Sequence, residues 1–288
     1  MKFAVFTVSL PDWTPEEAVT HLAEQGWDGI EWRVVDQAPP TGDQTFWQGN
    51  RCTWPASTFA EDVPRIRSLT EAAGLGMPSI GAYARSNELA AVERLMAGAQ
   101  QLGVTQMRVP ARVPDGSDYT GAFDASRSDY EKVADLAARY GVKALIELHH
   151  QTIASSCSAA RWFLEPFDPA HVGVIHDIGN MVYEGFERLD WGLDILGPYL
   201  AHVHVKNAAL RPRDLVDVGS DAERTPWSGG WAPLRHGQAP IADVFTALRG
   251  IGYDGWVSLE DFCTDLELEE RIRDDLTFVR ALAAAANA

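Results

Sequence analysis

The feature that most constrains the fold is a regular alternation of strand-like and helix-like segments along the whole chain. Eight short runs have the composition of buried strands, and helical periodicity separates most of them. The runs are Phe3–Val8, Gly29–Val34, Gly76–Gly81, Val104–Pro110, Val142–Leu148, Val172–Ile178, Leu200–Lys206 and Gly255–Phe262. Strands that alternate with helices pair in parallel through right-handed crossovers. Eight such units predict an α/β fold, a single (β/α)8 TIM barrel over residues 1–288.

Several of the predicted helices have recognisable ends. Thr14, followed three residues later by Glu17, predicts an N-cap with a capping box, and Gly26 marks the end of that helix. Ser86 and Ser126 are predicted to begin two further helices, each of which ends just before a glycine. These signals support the division into strand–helix units.

Charge and cysteine content exclude some classes of protein. The 288 residues include 24 basic and 41 acidic side chains, a net charge of −17 that disfavours nucleic acid as a partner. Three widely spaced cysteines without CxxC spacing indicate neither a disulfide framework nor a zinc–thiolate site, which favours the cytoplasm. The first ten residues are predicted to form a strand rather than a signal peptide, and no apolar run is long enough to cross a membrane.

Acids and imidazoles gather at the ends of the last four predicted strands. In a TIM barrel these ends meet at one face, where catalytic groups lie. The side chains are Glu147 and His149 on strand five, Asp177 on strand six, His202, His204 and Lys206 on strand seven, and Glu260 on strand eight. A carboxylate within an apolar strand loses several kcal/mol of hydration unless a cation lies beside it. Three carboxylates and one imidazole suit one divalent ion such as Mn²⁺, Mg²⁺, Co²⁺ or Zn²⁺, with two coordination positions left for substrate or water.

Each of these residues also has a structural alternative. Glu147 or Glu260 can pair with an arginine, Asp177 can cap the following helix, and His204 can be a hydrogen-bonded core histidine. The metal hypothesis therefore depends on all four side chains meeting at one place.

The segments IELHH, HDIGN, HVHVKN and VSLEDF, within the eightfold pattern, resemble the xylose-isomerase-like TIM-barrel superfamily of sugar and sugar phosphate isomerases and epimerases over residues 1–285. The order Glu, Asp, His, Glu on strands five to eight matches that superfamily's metal site. The resemblance implies that Glu147, Asp177, His204 and Glu260 hold the metal.

Departures from the superfamily's motifs reduce the number of enzyme classes that the chain resembles. Asn180 replaces a histidine that the AP endonucleases of this fold use, which argues against a nuclease. The segment Val205-Lys206-Asn207 differs from the Gly-Glu stretch typical of ketose 3-epimerases, and it is closer to the inosose dehydratase type and to lyases that act on keto sugars.

The resemblance implies a catalytic mechanism with candidate acids and bases. A metal that binds a carbonyl and the neighbouring hydroxyl stabilises the enediolate formed when the α-proton leaves. Glu147 and Glu260 are the implied acid–base pair. His149 lies on the same side of its strand as Glu147 and is a further candidate base, unless it is only an exposed loop histidine.

Five other residues are candidates for substrate binding. Lys206 lies on the same side of its strand as His204, and Glu31 and Arg108 lie in predicted strands two and four. Trp13 and Trp231 lie on predicted loops and are candidates for stacking on a sugar ring. Barrel-mouth ion pairs, a solvated lysine and aromatic packing on the scaffold are the alternatives. The long connection from about 207 to 240, which contains Trp231, is predicted to overhang the active site.

The sequence therefore predicts a metal-dependent sugar isomerase or epimerase that acts through an enediolate. A lyase or dehydratase acting on a keto sugar or inosose through the same first step is the alternative enzyme. A noncatalytic sugar- or metal-binding barrel is the alternative of another class. The expected partner is a small carbohydrate, with neither nucleic acid nor a membrane and with a homo-oligomer as an open option. No glycine-rich nucleotide-binding motif is present.

Overall fold

Eight parallel strands close into a barrel in the computed structural model, which describes residues 1–113, 116–212 and 227–286. The described residues form eleven strands, of which β3, β9 and β10 lie outside the barrel: β1 Lys2–Phe6, β2 Gly29–Val34, β3 Thr53–Trp54, β4 Ile80–Ala82, β5 Gln106–Arg108, β6 Lys143–Glu147, β7 Val172–Asp177, β8 Leu200–Val205, β9 Asn207–Pro212, β10 Trp227–Ala232 and β11 Trp256–Leu259. The barrel order is β1, β2, β4, β5, β6, β7, β8, β11 and back to β1. The predicted (β/α)8 TIM barrel is confirmed.

Nine α-helices lie in the described part of the chain, and the longer ones cover the outside of the barrel. They are α1 Pro15–Gln25, α2 Phe59–Ala72, α3 Leu89–Leu102, α4 Tyr119–Tyr140, α5 Cys157–Leu164, α6 Ile178–Met181, α7 Leu189–Leu196, α8 Ile241–Gly250 and α9 Leu268–Ala285. Helix α3 is typical, since it buries Val92, Leu95, Met96, Ala99 and Leu102, one apolar stripe of period 3.6. This stripe holds the helix against the core. None of the helices in the described ranges has the length and apolar character of a membrane span.

The structure confirms one predicted helix start and corrects two. Thr14 Oγ1 accepts from Glu17 N at 3.2 Å while Glu17 Oε2 accepts from Thr14 N at 2.7 Å, which is the predicted capping box. Ser86 is not an N-cap, because α3 begins at Leu89 and Ser86 Oγ accepts from Arg112 N instead. The prediction for Ser126 is also wrong. Asp118 caps α4 through Gly121 N at 2.9 Å, so the helix begins two turns earlier.

The long connection after β8 carries an antiparallel hairpin of β9 and β10. Its described part lies beside the ends of β8 and β11, since the Trp231 ring lies 4.9 Å from the ring of Phe262. Residues 213–226 of this connection lie outside the described residues. The predicted position over the mouth of the barrel therefore holds for Trp231.

Candidate metal centre

Four side chains from four adjacent barrel strands meet at the carboxyl end of the barrel. Glu147 ends β6, Asp177 ends β7, His204 lies on β8 and Glu260 follows β11. The register pairs His204 with Asp177 on one side and, on the other, with Ser258, two residues before Glu260. One oxygen or nitrogen atom from each lies within 4.8 Å of all the others. The strand ends thus bring together the four predicted ligands.

The donor atoms of this cluster fit a divalent cation. His204 Nδ1 is buried and makes no hydrogen bond with the described residues, and it lies 3.6 Å from Glu147 Oε1 and 4.0 Å from Glu260 Oε2. Separations of this size are those of ligand atoms that surround one ion at about 2.0 to 2.2 Å. A buried imidazole nitrogen without a partner among carboxylates is the arrangement that a metal would complete.

The Lys206 ammonium neutralises the carboxylates in this structure. Lys206 Nζ lies 2.7 Å from Asp177 Oδ2, contacts Glu260 Oε2 and lies 4.0 Å from Glu147 Oε1. Burial alone would lower the pKa of Lys206, but Asp177, Glu260 and Glu147 together raise it. Burial raises the pKa of Asp177 to about 8, and Lys206 opposes that rise. Lys206 and a divalent ion would therefore compete for the same carboxylates.

A buried ion pair fixes Glu147. Arg108 Nη1 donates to Glu147 Oε2 at 2.7 Å, and Arg108 Nε donates to Ala82 O at 3.1 Å. The guanidinium also lies over the ring of Tyr83, 4.3 Å from its centroid. Burial would raise the pKa of Glu147, yet Arg108, His204 and Lys206 hold it well below its usual range. Glu147 thus stays ionised, which suits a metal ligand better than a proton acceptor.

Glu31 lies on the side of His204 opposite Glu147 and Glu260, and it contacts two histidines. Its Oε2 is 3.0 Å from His202 Nε2 and 3.1 Å from His204 Nε2, and the side chain is 0% exposed. His204 therefore turns Nδ1 toward the carboxylates and Nε2 toward Glu31. Burial opposes ionisation of Glu31, but His204 and His202 lower its pKa. Substrate binding by Glu31 stays a prediction. The contact between its carboxylate and His204 Nε2 orients the imidazole ring of His204.

The structure places the other predicted residues at different distances from the cluster. His149 is half-buried, stacks on His150, and has Nδ1 2.8 Å from His150 O. Trp231 lies over Lys206, with Nζ 5.5 Å from the ring centroid. Trp13 is 9% exposed and stacks on His21 at 4.5 Å, which accounts for its burial without a substrate. A role of these three in catalysis or substrate binding stays a prediction.

A cavity of about 350 Å³ opens beside Glu147. Its wall includes the two predicted residues Arg108 and His149. It also includes Tyr83, Arg85 and Arg112, which the sequence analysis did not single out. Arg85 and Arg112 follow β4 and β5 in the chain, so that their place at a strand end is a signal that could have identified them.

Comparison with known proteins identifies the family. The sequence profile described as Xylose isomerase-like TIM barrel matches residues 19–282. The chain belongs to this family. The resemblance drawn from the strand-end motifs is thereby confirmed.

Among curated proteins, inosose dehydratase of Bacillus anthracis (strain CDC 684 / NRRL 3495) is 27% identical over 146 residues, which is 47% of this chain and 48% of that protein. Inosose dehydratase of Geobacillus thermodenitrificans (strain NG80-2) is 25% identical over 133 residues, 45% of this chain and 43% of that protein. The chain spans about half the length of the curated relatives it matches.

Solved structures share the fold over nearly the full chain. A D-tagatose 3-epimerase-like protein has a TM-score of 0.72 at 17% identity and covers 100% of both chains. The 3-keto-D-glucoside 4-epimerase YcjR from E. coli has a TM-score of 0.70 at 18% identity, with 98% of this chain and 99% of that one covered. A Mycobacterium smegmatis protein of this fold in complex with magnesium has a TM-score of 0.68 at 17% identity and covers 100% of this chain and 98% of that one.

Proposed function

We propose that the protein is a divalent-metal-dependent isomerase or epimerase that removes the proton on the carbon next to the carbonyl of a keto sugar. The observation that carries the proposal is the meeting of four donor atoms from β6, β7, β8 and β11 beside a cavity large enough for a monosaccharide. Sugar epimerases among the solved relatives, and a relative in complex with magnesium, support this choice. A bound divalent ion would supply Lewis-acid stabilisation of the enediolate that such a proton transfer produces.

The residues that would hold the ion are Glu147, Asp177, His204 and Glu260. All four are at least nine-tenths buried, so water competes little for their charges. Lys206 shares two of these carboxylates, and it would have to give up at least one contact when a cation binds.

The contacts of each acid suggest which one moves the proton. The Arg108 ion pair holds Glu147 as an anion of low basicity, so we assign Glu147 the role of ligand first. Glu260 has no arginine partner among the described residues and contacts Lys206 instead, so we assign it the proton transfer. His149 is the third candidate, because an Nδ1–H that donates to His150 O leaves Nε2 with a lone pair in the tautomer we assign.

A lyase is the second candidate, and the position of Lys206 favours it. A buried ammonium among the acids can stabilise the negative charge on an oxygen that leaves from the β-carbon. The curated relatives named inosose dehydratase support the same reaction class. An isomerase and a lyase share the first proton abstraction, so one experiment tests both.

The test is hydrogen exchange in D₂O with Mn²⁺-loaded protein and a panel of neutral and phosphorylated ketoses, a 3-keto-glucoside and an inosose. We expect deuterium at the carbon next to the carbonyl by NMR, and a lyase also forms an unsaturated product that absorbs in the ultraviolet. Glu260→Gln should suppress exchange, and His149→Ala tests the base role while it keeps all four ligands. His171→Ala, at the opposite end of the barrel before β7, is the matched control. Metal-loaded protein without exchange or elimination on any member of the panel would contradict the enzyme proposal and favour a noncatalytic binding barrel.

A further inference from the structure

The cavity beside Glu147 has an unusual charge. The described residues that line it include Arg85, Arg108, Arg112 and two histidines, while Glu147 is the one carboxylate among them. The chain as a whole carries a net charge of −17, so overall composition does not explain a basic cavity. This local excess of positive charge faces the space that a substrate would fill.

Two of the three arginines are already neutralised. Arg108 pairs with Glu147 at 2.7 Å, and Arg112 donates to both oxygens of Asp129, at 2.7 and 3.4 Å. Each of these two guanidinium groups therefore has an acid of its own. They shape the cavity and add little net charge to it.

Arg85 differs from the other two arginines. Its Nη1 donates to Ala111 O at 2.9 Å, and its guanidinium has no carboxylate partner among the described residues. Arg85 is half-buried, so the charge is partly withdrawn from water, and the nearby Glu88 carboxylate accepts from the Arg85 backbone N and not from the guanidinium. An arginine held by one carbonyl, with its remaining donors open to a cavity, suits a planar or tetrahedral anion.

Arg85 also lies at the correct end of the barrel for this task. It follows β4, whose carboxyl end belongs to the same face as the ends of β6 and β7. The cavity that Arg85 lines also includes Glu147, so a ligand that fills the cavity would contact both residues.

We propose that the substrate is an anionic sugar, and that Arg85 binds its phosphate or carboxylate group while the keto end lies at the Glu147 side of the cavity. This inference rests on the proposed function for the position of the keto end. The preference for an anionic sugar depends on Arg85 and not on which reaction follows.

Binding to chelator-treated protein tests the inference apart from catalysis. The probes are D-fructose 6-phosphate against D-fructose, and D-glucuronate against D-glucose, with dissociation constants from calorimetry at low ionic strength. We expect at least one anionic probe to bind ten or more times more tightly than its neutral counterpart, because hydrogen bonds to charged groups carry that much discrimination. The two pairs separate phosphate from carboxylate recognition.

Variants of Arg85 test whether this residue causes the preference for the anionic probe. Arg85→Gln should reduce the preference for the anionic probe about tenfold or more, and Arg85→Lys should keep part of it because the charge remains. The matched control is Arg94→Gln. Arg94 likewise donates to one carbonyl, Ala90 O at 3.1 Å, and has no ion pair among the described residues, but it lies on α3 outside the cavity. Unfolding temperatures of the variants verify that each one folds.

The results that would overturn this inference differ from those that would overturn the proposed function. Equal binding of charged and neutral probes, binding of neither, or an Arg85→Gln variant that matches Arg94→Gln would each overturn the inference. Anion preference without deuterium exchange would leave the inference standing and contradict the proposed function. Exchange with anionic and neutral sugars alike that is insensitive to Arg85→Gln would leave the proposed function standing and contradict the inference.

Discussion

Glu31 Oε2 lies 3.1 Å from His204 Nε2, on the opposite side of the imidazole from the Glu147 and Glu260 carboxylates of the candidate metal centre. A carboxylate at this position accepts the Nε2 proton and leaves Nδ1 as the nitrogen that faces Glu147 and Glu260. Partners of this kind fix the tautomer and the ring orientation of a metal-binding histidine. Glu31 is fully buried, so water cannot replace it in this role.

Glu31→Gln should weaken Mn²⁺ binding about tenfold to hundredfold, the range usual for such supporting residues. The amide keeps the shape of the side chain but loses the charge that holds His204. The measurement is a metal titration by calorimetry at pH 8. Ser258→Ala is the control, since Ser258 Oγ contacts His202 at 3.0 Å and not His204. Equal losses in the two variants would assign the effect to general disturbance of the barrel interior.

Metal binding should release protons. The pKa of His204 is raised well above its usual value: burial opposes the charge, but Glu31 and Glu147 outweigh burial. In the metal-free protein the imidazole is thus protonated at pH 7, and its Nδ1 must lose a proton before it can bind an ion. Mn²⁺ affinity should therefore rise with pH, by up to about tenfold per unit for each proton released, and fall on acidification.

Calorimetry in two buffers of different ionisation enthalpy measures this release directly. At pH 7 we expect about one proton released per ion from His204. Asp177, whose pKa burial raises to about 8, adds to that number. His204→Gln should lose the share of the proton release that comes from His204, together with most of the affinity. A heat of binding that is the same in both buffers would contradict this assignment.

The sequence predicts the strands and the four donor residues because both depend on local signals. Each strand is a short apolar run between turn residues, and each donor occupies the last positions of such a run. In a parallel barrel these positions meet at one face whatever the rest of the chain does. Local signals do not predict helix starts as well. In α4, both Asp118 and Ser126 are possible N-caps, and the helix begins after Asp118.

The partners of the donors could not be predicted in the same way. Arg108 and Glu147 are 39 residues apart, and Glu31 and His204 are 173 residues apart. The first pair joins the neighbouring strands β5 and β6, whereas the second joins β2 and β8, which are distant in the chain and meet across the barrel interior. A sequence pattern indicates that Glu31 lies on a strand, but it does not indicate which side chains fill the space opposite it.

Lys206→Met should destabilise the metal-free protein by about 3 to 5 kcal/mol, because it leaves Asp177 and Glu260 buried without their cation. Saturating Mn²⁺ should remove much of this loss, since the ion supplies the missing positive charge. Urea unfolding with chelator and with Mn²⁺ measures both values. Lys143→Met, a half-buried lysine at the start of β6, is the control and should show no dependence on metal. A loss that Mn²⁺ does not reduce would contradict shared occupancy of the carboxylates.

A second pair of buried acids predicts how stability changes with pH. Asp275 and Asp261 are 3% and 1% exposed, and Arg271 Nε lies 3.7 Å from Asp261 Oδ2. Burial, together with the charge of Asp261, raises the pKa of Asp275 to about 9. Between about pH 4 and pH 9 the folded protein therefore holds a proton that the unfolded chain has lost.

This difference makes the free energy of unfolding decrease as pH rises through that interval, by up to about 1.4 kcal/mol per unit from this one carboxyl. Asp275→Asn cannot ionise, so its stability should depend less on pH and should exceed that of the unmodified protein increasingly above neutrality. Asp274→Asn is the control: Asp274 is a more exposed neighbour whose pKa is lowered by its bond to Arg235, so it lacks the raised pKa on which the effect depends. Urea unfolding between pH 5 and pH 9 compares the three proteins. Parallel profiles for Asp275→Asn and the unmodified protein would mean that Asp275 is ionised in the folded state, with Arg271 as its compensating charge.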